Sequence, residues 1–249
     1  MSSAYDPIAE QYKRFKSSPF CVHVEAHSYL GLIGDVTGLS VLDLACGDGL
    51  YTRQLKRRGA SRVVGVDVSE KMIELAVEEE ARAPLGVEYL VRSAQSLGTI
   101  GSFDLAVASF LLHYAPTRED MLAMCRSVHR NLKPGGRFVA LNDNFEQPVE
   151  LYGASRKYGF VKSISAPVRE EGTSITFTLW IGDETLRFDI YHHEKATYEW
   201  ALRSAGFTGL RWLKQSVSPE GTRDLGADHW LEAIQHQPFV MLECRKEGP

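Results

Sequence analysis

The stretch Val41-Leu42-Asp43-Leu44-Ala45-Cys46-Gly47-Asp48-Gly49 decides the fold of this 249-residue chain. Its first half is a short apolar run, which is typical of a buried strand, and its second half is a Gly-x-Gly turn. The amphipathic segment 50–58 follows and predicts a helix. Glycines let the backbone turn sharply and let a ligand approach closely. The stretch therefore predicts a strand, a turn and a helix that together hold a ligand.

The same alternation of strand and helix continues along the chain. Apolar runs that predict four further strands occupy residues 63–68, 87–91, 103–109 and 137–142. Helices are predicted at residues 69–83, with Ser69 as the cap, and at 119–132, which ends at the turn 133–136. Such alternation predicts a doubly wound α/β fold, in which helices cover both faces of a mostly parallel sheet. Ligands of these sheets bind at the carboxyl ends of the strands.

The segments on either side of this alternation predict a lid and a cap. Asp6 and Pro7 suit the start of a first helix, and a second helix is predicted at residues 22–34. After residue 172 the sequence predicts an antiparallel strand pair, a helix and a last strand, at residues 173–180 and 185–193, 194–205 and 238–244. We predict one domain over residues 1–249, with an N-terminal helical lid at 1–38 and a cap segment at 145–172.

Composition excludes several classes of function. The formal net charge of −4 gives no reason to expect a nucleic-acid partner. No apolar run approaches the roughly 20 residues that span a bilayer, and the N-terminus is too polar for a secretory signal. The four cysteines are far apart and form no CxxC pair, which argues against a zinc site and against disulfides. We therefore expect a soluble cytoplasmic protein, either a monomer or a homodimer.

Two acidic residues indicate the charge of the ligand. Asp43 stands four positions before Gly47, where a carboxylate would repel a pyrophosphate and attract a cation such as S-adenosylmethionine. Thr52 stands where the dinucleotide-binding fingerprint has its third glycine, which disfavours a nicotinamide cofactor. Asp67 ends the second predicted strand, where an acidic side chain can accept hydrogen bonds from both hydroxyls of a ribose.

Four segments together resemble a known family. Residues 43–49, 64–69, 103–107 and 132–136 resemble, in order and in spacing, the motifs of class I S-adenosylmethionine-dependent methyltransferases. The resemblance covers residues 5–142 well and is looser beyond them. It implies a seven-stranded, mostly parallel sheet of the Rossmann-like methyltransferase type, with S-adenosylmethionine as the cofactor. Residues 34–38, 69–75, 157–159 and 229–230 are most similar to small-molecule natural-product enzymes, of which the toxoflavin-pathway N-methyltransferases are an example.

The resemblance also implies which residues contact the cofactor. Ala45 and Asp48 would line its methionine end, Met72 would pack on the adenine, and Tyr5 would close over it. Many relatives have an Asp after the third strand, and here Ser93 takes that place. The full set of predicted cofactor contacts is Tyr5, Asp43, Ala45, Gly47, Asp48, Gly49, Asp67, Val68, Met72, Ser93, Ala94, Ser109 and Phe110.

The residues after the fourth strand indicate the class of acceptor. Segment 109–114 lacks the proline-rich turn of enzymes that methylate adenine or glutamine, and it lacks the Pro-Cys of enzymes that methylate cytosine. It offers no acidic metal ligand, and Asp143 alone is a poor site for a hard metal, so we expect none. Aromatic residues indicate a flat aromatic or heteroaromatic acceptor, and the resemblance favours a heteroaromatic one. The predicted acceptor contacts are Phe20, Tyr114, Asn144, Tyr158 and Tyr191.

Methyl transfer needs mainly positioning, because the leaving sulfur is neutral. If the acceptor must lose a proton, His113 is the best-placed base, although a structural histidine is an equally good interpretation. Tyr12 is a second catalytic candidate, as a hydrogen-bond acceptor or a wall of the pocket. We predict methylation of nitrogen or carbon in a small azaheterocyclic or indole-type acceptor of bacterial secondary metabolism. The alternatives are O-methylation of a small phenol or carboxylate, an NAD-dependent oxidoreductase, and a non-catalytic cofactor-binding protein.

Overall fold

Seven strands form the central sheet of the computed structural model, which describes residues 9–248 without the side chain of Glu10. The strand order is β3-β2-β1-β4-β5-β10-β9, and β10 is antiparallel to both of its neighbours. The remaining pairs in the sheet are parallel, which confirms the predicted fold class. The strands are β1 (Ser40–Leu44), β2 (Arg62–Asp67), β3 (Glu88–Val91), β4 (Phe103–Ser109), β5 (Leu132–Asp143), β9 (Phe207–Leu213) and β10 (Phe239–Lys246).

A second sheet covers one face of the first. It has the order β6-β7-β8 and is antiparallel throughout. Its strands are β6 (Phe160–Ile164), β7 (Ser174–Ile181) and β8 (Glu184–Tyr191). The predicted hairpin is confirmed by β7 and β8, whereas β6 lies inside the segment that the sequence predicts to be an irregular cap.

The helices have the following bounds: α1 (Ala9–Phe15), α2 (His27–Ile33), α3 (Leu50–Arg57), α4 (Glu70–Arg82), α5 (Arg118–Arg130), α6 (Lys195–Ser204), α7 (Pro219–Leu225) and α8 (Leu231–His236). A π-helical segment, Cys21–Ala26, runs directly into α2, so the predicted helix at 22–34 has two parts. The predicted cap residue Ser69 is confirmed, because its hydroxyl accepts a hydrogen bond from the Met72 N–H. The residues Tyr5, Asp6 and Pro7 lie outside the described part of the chain.

Side-chain alternation along the strands separates two hydrophobic clusters. Val41 and Val63 face the cluster that contains α2 and the second sheet, whereas Leu42 and Val64 face the cluster that contains α5 and α6. Successive residues of a strand point to opposite faces, so a sheet covered on both sides needs apolar residues at every position. This requirement explains why most positions of the core strands are apolar.

The Lys-Pro-Gly-Gly segment at 133–136 departs from its predicted form. The sequence predicts a turn between α5 and a strand that begins at residue 137, but β5 already pairs with β4 at Leu132. The register then shifts, so that Leu105 of β4 pairs with Arg137. The segment is therefore an irregularity inside the strand, and it still provides the change of direction that its glycines and proline indicate.

None of the helices in the described range 9–248 combines the length and the apolar character needed to cross a membrane.

Gly65, inside β2, makes room for a neighbouring ring. A Cβ atom at this position would lie 2.8 Å from Cδ1 of Tyr89 and 3.0 Å from Sγ of Cys46. Tyr89 is the register partner of Gly65 on β3, and its ring also lies against Gly49 of the turn that follows β1. The absence of a side chain at Gly65 therefore allows the Tyr89 ring to pack against both β2 and the turn that follows β1.

We expect Gly65→Ala to destabilise the protein by about 1–3 kcal/mol, because overpacking forces the Tyr89 ring to move. The cost should fall below about 1 kcal/mol in a Tyr89→Leu background, because the two sites are coupled through this contact. Urea unfolding of the four proteins of this cycle measures both values. Gly31→Ala is the control: this glycine lies in α2 with open space around it, and the change should be neutral or stabilising. Equal costs of Gly65→Ala in both backgrounds would contradict the interpretation.

Candidate active site

The turn after β1 has an unusual backbone. Ala45, Gly47 and Gly49 have φ angles of 55°, 57° and 81°, all in the left-handed region. Glycine adopts this region without penalty, but a residue with a Cβ is strained there, and such strain is concentrated at ligand sites. The Cys46 N–H donates to the Val66 carbonyl at 3.1 Å, which joins the turn to β2. The backbone between β1 and α3 is therefore held open at the carboxyl edge of the sheet.

Asp67 connects this turn to the next one. One of its carboxylate oxygens, Oδ2, accepts a hydrogen bond from the Gly47 N–H at 2.8 Å, and Oδ1 accepts one from the Ser69 N–H at 2.9 Å. The side chain is half-buried and borders a cleft at this edge. The carboxylate therefore positions both loops, and it has further lone pairs for ligand hydroxyls.

Asp43 occupies a different place from the one that its predicted role requires. Its side chain is only 1% exposed, and its Oδ2 accepts a hydrogen bond from the Thr52 hydroxyl at 2.6 Å. Burial raises the pKa of Asp43 to about 7, although the Thr52 hydroxyl opposes the shift. Asp43 is thus beneath the turn and does not line the cleft. The threonine that replaces the third glycine is its hydrogen-bond partner.

The cleft at the carboxyl edge, which we call the cofactor cavity, has a volume of about 330 Å³, which suits a small-molecule ligand. Nine of the predicted contacts line it: Ala45, Gly47, Asp67, Val68, Met72, Ser93, Ala94, Ser109 and Phe110. Arg92 and Gln95 also line it and were not predicted. Asp48 borders a separate surface groove with Lys13, and Gly49 is buried at the start of α3.

The polar groups of the cofactor cavity fit a nucleoside with a positive charge. Asp67 supplies a carboxylate, and no residue within 9–248 lies within hydrogen-bonding distance of the buried Ser109 hydroxyl. A buried polar atom of this kind is normally satisfied by a partner, so Ser109 fits a ligand that supplies one. The buried thioether of Met72 offers an apolar surface next to Gly47. These residues could hold S-adenosylmethionine.

Phe110 separates this cavity from a second, narrower pocket. Its φ angle is 63°, and its N–H donates to the Leu141 carbonyl at 2.7 Å, which fixes the backbone in this strained form. Its ring packs edge-on against Phe239, with the centroids 4.8 Å apart. Together with Tyr12 and Tyr114, Phe110 lines both spaces. A molecule in one space therefore meets a molecule in the other at these three rings.

The second pocket, which we call the acceptor pocket, has aromatic walls. Its volume is about 30 Å³, so it is a slot rather than a chamber. Its rings come from α1, from residues 110–117 between β4 and α5 (the β4 loop), from the second sheet and from β10. They are Tyr12, Phe15, Phe110, Tyr114, Phe160, Phe177, Phe188 and Phe239. In a slot of this volume, flat aromatic walls favour the edge of a flat ligand.

A buried ion pair lies beside this slot. Lys16 and Glu25 form a salt bridge with side chains that are 9% and 2% exposed, and the Tyr51 hydroxyl donates to the same Glu25 oxygen at 2.7 Å. The ammonium lies 4.9 Å from the centroid of the Phe110 ring. Burial lowers the pKa of Lys16, but the attraction of Glu25 is stronger and holds this pKa above its usual value. Lys16 therefore stays charged.

The two predicted catalytic residues lie at the slot: Tyr12 lines it, in keeping with its predicted place as a wall of the pocket, whereas the hydrogen bond of His113 differs from what a general base needs. Burial, reinforced by the negative charge of Glu25, raises the pKa of Tyr12 well above its usual value, so Tyr12 stays a phenol. The Nδ1 atom of His113 accepts a hydrogen bond from the Asp143 N–H at 3.1 Å. This bond uses the lone pair that a base needs. The geometry therefore corrects the prediction that His113 is a general base.

Two predicted acceptor contacts are core residues. Phe20 is 1% exposed and packs against Phe160 at a centroid distance of 5.1 Å. Tyr158 stacks on Trp230 at 5.7 Å, and its hydroxyl donates to the His229 carbonyl at 2.7 Å. Their rings fill the interior between the first helices and the C-terminal helices, so they do not border the slot.

Asn144 and Tyr191 also lie outside the acceptor pocket. The Asn144 amide donates to the Gln237 carbonyl at 2.7 Å, and its Oδ1 accepts from the Glu146 N–H, so it shapes the loop after β5. Tyr191 is half-buried at the end of β8, opposite Ser174. Tyr114 is thus the one member of the predicted acceptor set that lines the slot in the described structure.

Sequence reasoning missed Lys16, Glu25 and Thr52. Lys16 is one helical turn after Tyr12, so it shares the face that the sequence assigns to the site. Glu25 is an acidic residue within a predicted helix that packs on the core, and a buried charge needs a partner. Both signals were available, but the partner of each residue follows only from the folded structure.

Comparisons with known proteins agree with this geometry. The sequence profile of the methyltransferase domain family matches residues 41–136. The chain is 37% identical to the demethylmenaquinone methyltransferase of Lactococcus lactis over 194 residues, which are 73% of this chain and 71% of that protein. It is 28% identical to the N-demethylindolmycin N-methyltransferase of Streptomyces griseus over 169 residues, which are 67% of this chain and 68% of that protein.

A solved structure supports the fold. The S-adenosylmethionine-dependent methyltransferase from Mesorhizobium loti superposes with a TM-score of 0.64, and the alignment covers 93% of this chain and all of that one. The sequence identity of the two chains is 23%.

We expect Asp67→Ala to weaken the binding of S-adenosylhomocysteine about a hundredfold, because hydrogen bonds to a charged acceptor contribute about 1.5–3 kcal/mol each. Titration calorimetry measures this change. Ser69→Ala is the matched control: it removes the cap of α4 and should lower stability by about 1 kcal/mol, while the ligand affinity stays within about threefold. An equal loss of affinity in both variants would mean that Asp67 acts only by holding the loops.

Proposed function

Because the chain belongs to the S-adenosylmethionine-dependent methyltransferases, we propose that it methylates nitrogen or carbon of a small, flat heteroaromatic acceptor. The observation that carries this proposal is the aromatic slot that shares Tyr12, Phe110 and Tyr114 with the cofactor cavity. Membership of this family argues against the alternative of a nicotinamide-dependent oxidoreductase.

The arrangement supports catalysis by positioning. The bound cofactor supplies a methyl group on a positively charged sulfur, and the leaving sulfur is neutral. The three shared rings would hold the acceptor edge toward the cofactor cavity and keep bulk water out. Alignment of a nucleophile with its electrophile can lower the barrier by about 7–11 kcal/mol, so positioning alone supplies much of the acceleration.

Glu25 supplies the polar contact that orients the acceptor in this proposal. Its carboxylate borders the slot and forms an ion pair with Lys16. A carboxylate accepts hydrogen bonds only, so it matches an N–H group on the acceptor ring, and it would take up the proton that this nitrogen loses on methylation. Similarity to the N-demethylindolmycin N-methyltransferase of Streptomyces griseus also favours nitrogen chemistry.

A second candidate is methylation of a small phenol, carboxylate or quinone-type acceptor. The buried ammonium of Lys16 favours it, because a cation at the slot would attract an anionic oxygen. The similarity to a demethylmenaquinone methyltransferase also supports an acceptor with ring oxygens. Neutralisation of Lys16 by Glu25 weakens this attraction, so we place the candidate second.

A panel of acceptors distinguishes the two candidates. Indoles, quinolones, phenols and aromatic carboxylates would be incubated with the protein and S-adenosylmethionine, and mass spectrometry would detect the gain of one methyl group. We expect heteroaromatic N–H compounds to react at least about tenfold faster than phenols or carboxylates. The reverse order would establish the second candidate. Tight cofactor binding without turnover of any compound would revive the hypothesis of a non-catalytic protein.

We expect Glu25→Gln to lower kcat/KM for an N–H acceptor by about ten- to a hundredfold, because the variant loses a charged hydrogen bond. The affinity for S-adenosylhomocysteine should not change. Glu184→Gln is the matched control: it disrupts the exposed pair with Arg14 on the same lid and should leave kinetics unaltered. Thermal unfolding of both variants separates a kinetic effect from a loss of folded protein. Unchanged kinetics in Glu25→Gln would refute the proposed contact.

A further inference from the structure

His113 is held rigidly at the wall of the acceptor pocket. The side chain is 2% exposed, and its ring stacks on Phe110 at a centroid distance of 5.6 Å. Tyr114 packs edge-on against it at 4.8 Å. The backbone N–H of Asp143, at the end of β5, donates to Nδ1. The ring therefore has one orientation, and Nε2 points away from β5.

The contact with Asp143 determines the tautomer. A neutral imidazole has one N–H and one lone pair, and a backbone N–H can be met only by the lone pair. Because Nδ1 carries the lone pair, the proton of a neutral ring is on Nε2. Within residues 9–248, no group lies within hydrogen-bonding distance of Nε2, although the atom is buried. A buried donor without a partner is rare in proteins, and at a pocket wall it indicates a ligand that accepts its hydrogen bond.

The charges around the ring keep it neutral. Burial lowers the pKa of His113 to about 3, and the ammonium of Lys162 contributes to the shift. Lys162 is fixed behind the ring by its 2.6 Å ion pair with the carboxylate of Asp143. On the pocket side, Lys16 and Glu25 form a pair whose charges offset each other. Neither side therefore offers a net negative charge that would stabilise an imidazolium.

We propose that His113 is a fixed Nε2–H donor that selects acceptors with a carbonyl oxygen beside the methylated atom. This inference deepens the proposed function and rests on it for the identity of the acceptor as a heteroaromatic ring. Glu25 accepts a hydrogen bond and His113 donates one, so together they match a ring with a cyclic amide edge, in which an N–H is adjacent to a carbonyl. His113 is thus a specificity-determining residue.

Two substitutions separate the two hydrogen-bonding functions of the His113 ring, which are acceptance at Nδ1 and donation at Nε2. In His113→Asn the amide oxygen can replace Nδ1 and accept from the Asp143 N–H, but nothing replaces the Nε2–H donor. In His113→Gln the longer amide can place an N–H near the Nε2 position, but the contact with Asp143 is lost. A purely structural histidine would be replaced better by Asn, whereas the proposed donor would be replaced better by Gln.

The tautomer can be measured without any turnover. In ¹⁵N-labelled protein, long-range ¹H–¹⁵N spectra show which nitrogen carries the proton, and His113→Asn assigns the signal among the eight histidines. We expect the Nε2–H tautomer from about pH 5.5 to 9. With S-adenosylhomocysteine present, 2-quinolone should shift this resonance, whereas 1,2-dihydroquinoline, which keeps the N–H but lacks the carbonyl, should not. A proton on Nδ1, an imidazolium, or equal responses to the two probes would overturn the inference.

Binding selectivity provides the second test. Wild type and His113→Gln should bind 2-quinolone at least about tenfold more tightly than 1,2-dihydroquinoline, and His113→Asn should lose this preference while its affinity for S-adenosylhomocysteine stays unchanged. A preference that survives in His113→Asn would overturn the inference. If wild type binds quinolone selectively but methylates no heteroaromatic compound, the proposed function fails while the donor role stands.

Discussion

The two backbone hydrogen bonds of Asp67 are the interaction on which the site depends. The carboxylate accepts hydrogen bonds from Gly47 and Ser69 and so joins the turn after β1 to the start of α4. The carboxyl edge of the sheet therefore has a defined shape before any ligand binds. Two loops that moved independently would have to be ordered at the expense of binding free energy. The carboxylate holds these loops from the protein side and presents its remaining lone pairs to the cavity.

Two buried ion pairs flank the acceptor pocket, and they explain how an aromatic slot can be selective. Lys16–Glu25 lies beside the slot and Lys162–Asp143 lies behind it. Buried pairs seldom add much stability, because removing each charge from water is costly. Their consequence here is electrostatic: the charges of Lys16 and Glu25 offset each other, and Lys162 helps burial to keep His113 neutral. The slot therefore offers one fixed acceptor and one fixed donor among rings that would otherwise discriminate only by shape.

The sequence predicted the cofactor side of the molecule far better than the acceptor side, and the reason is the distance between interacting residues. The residues of the cofactor cavity can be identified from the ends of the predicted strands. Gly47, Asp67 and Ser109 each lie at or just after the carboxyl end of a strand, which is where the ligands of these sheets bind. The acceptor pocket combines the first helix, the β4 loop, the second sheet and β10. Its aromatic residues could not be told from core residues such as Phe20 and Tyr158, because both kinds of position need the same side chains.

The second sheet and the β4 loop are joined by a contact that gives the pocket its rigidity. His193, just after β8, lies 2.8 Å from the carbonyl oxygen of Ala115 through Nε2 and 2.6 Å from Glu171 through Nδ1. Ala115 follows His113 and Tyr114 directly, so the second sheet is anchored to the segment that forms the slot. A hydrogen-bond donor contributes to selectivity only if it cannot move to meet a poorer ligand. The anchor beside Ala115 and the Asp143 N–H behind His113 hold this segment from two sides, which is the rigidity that a selective donor needs.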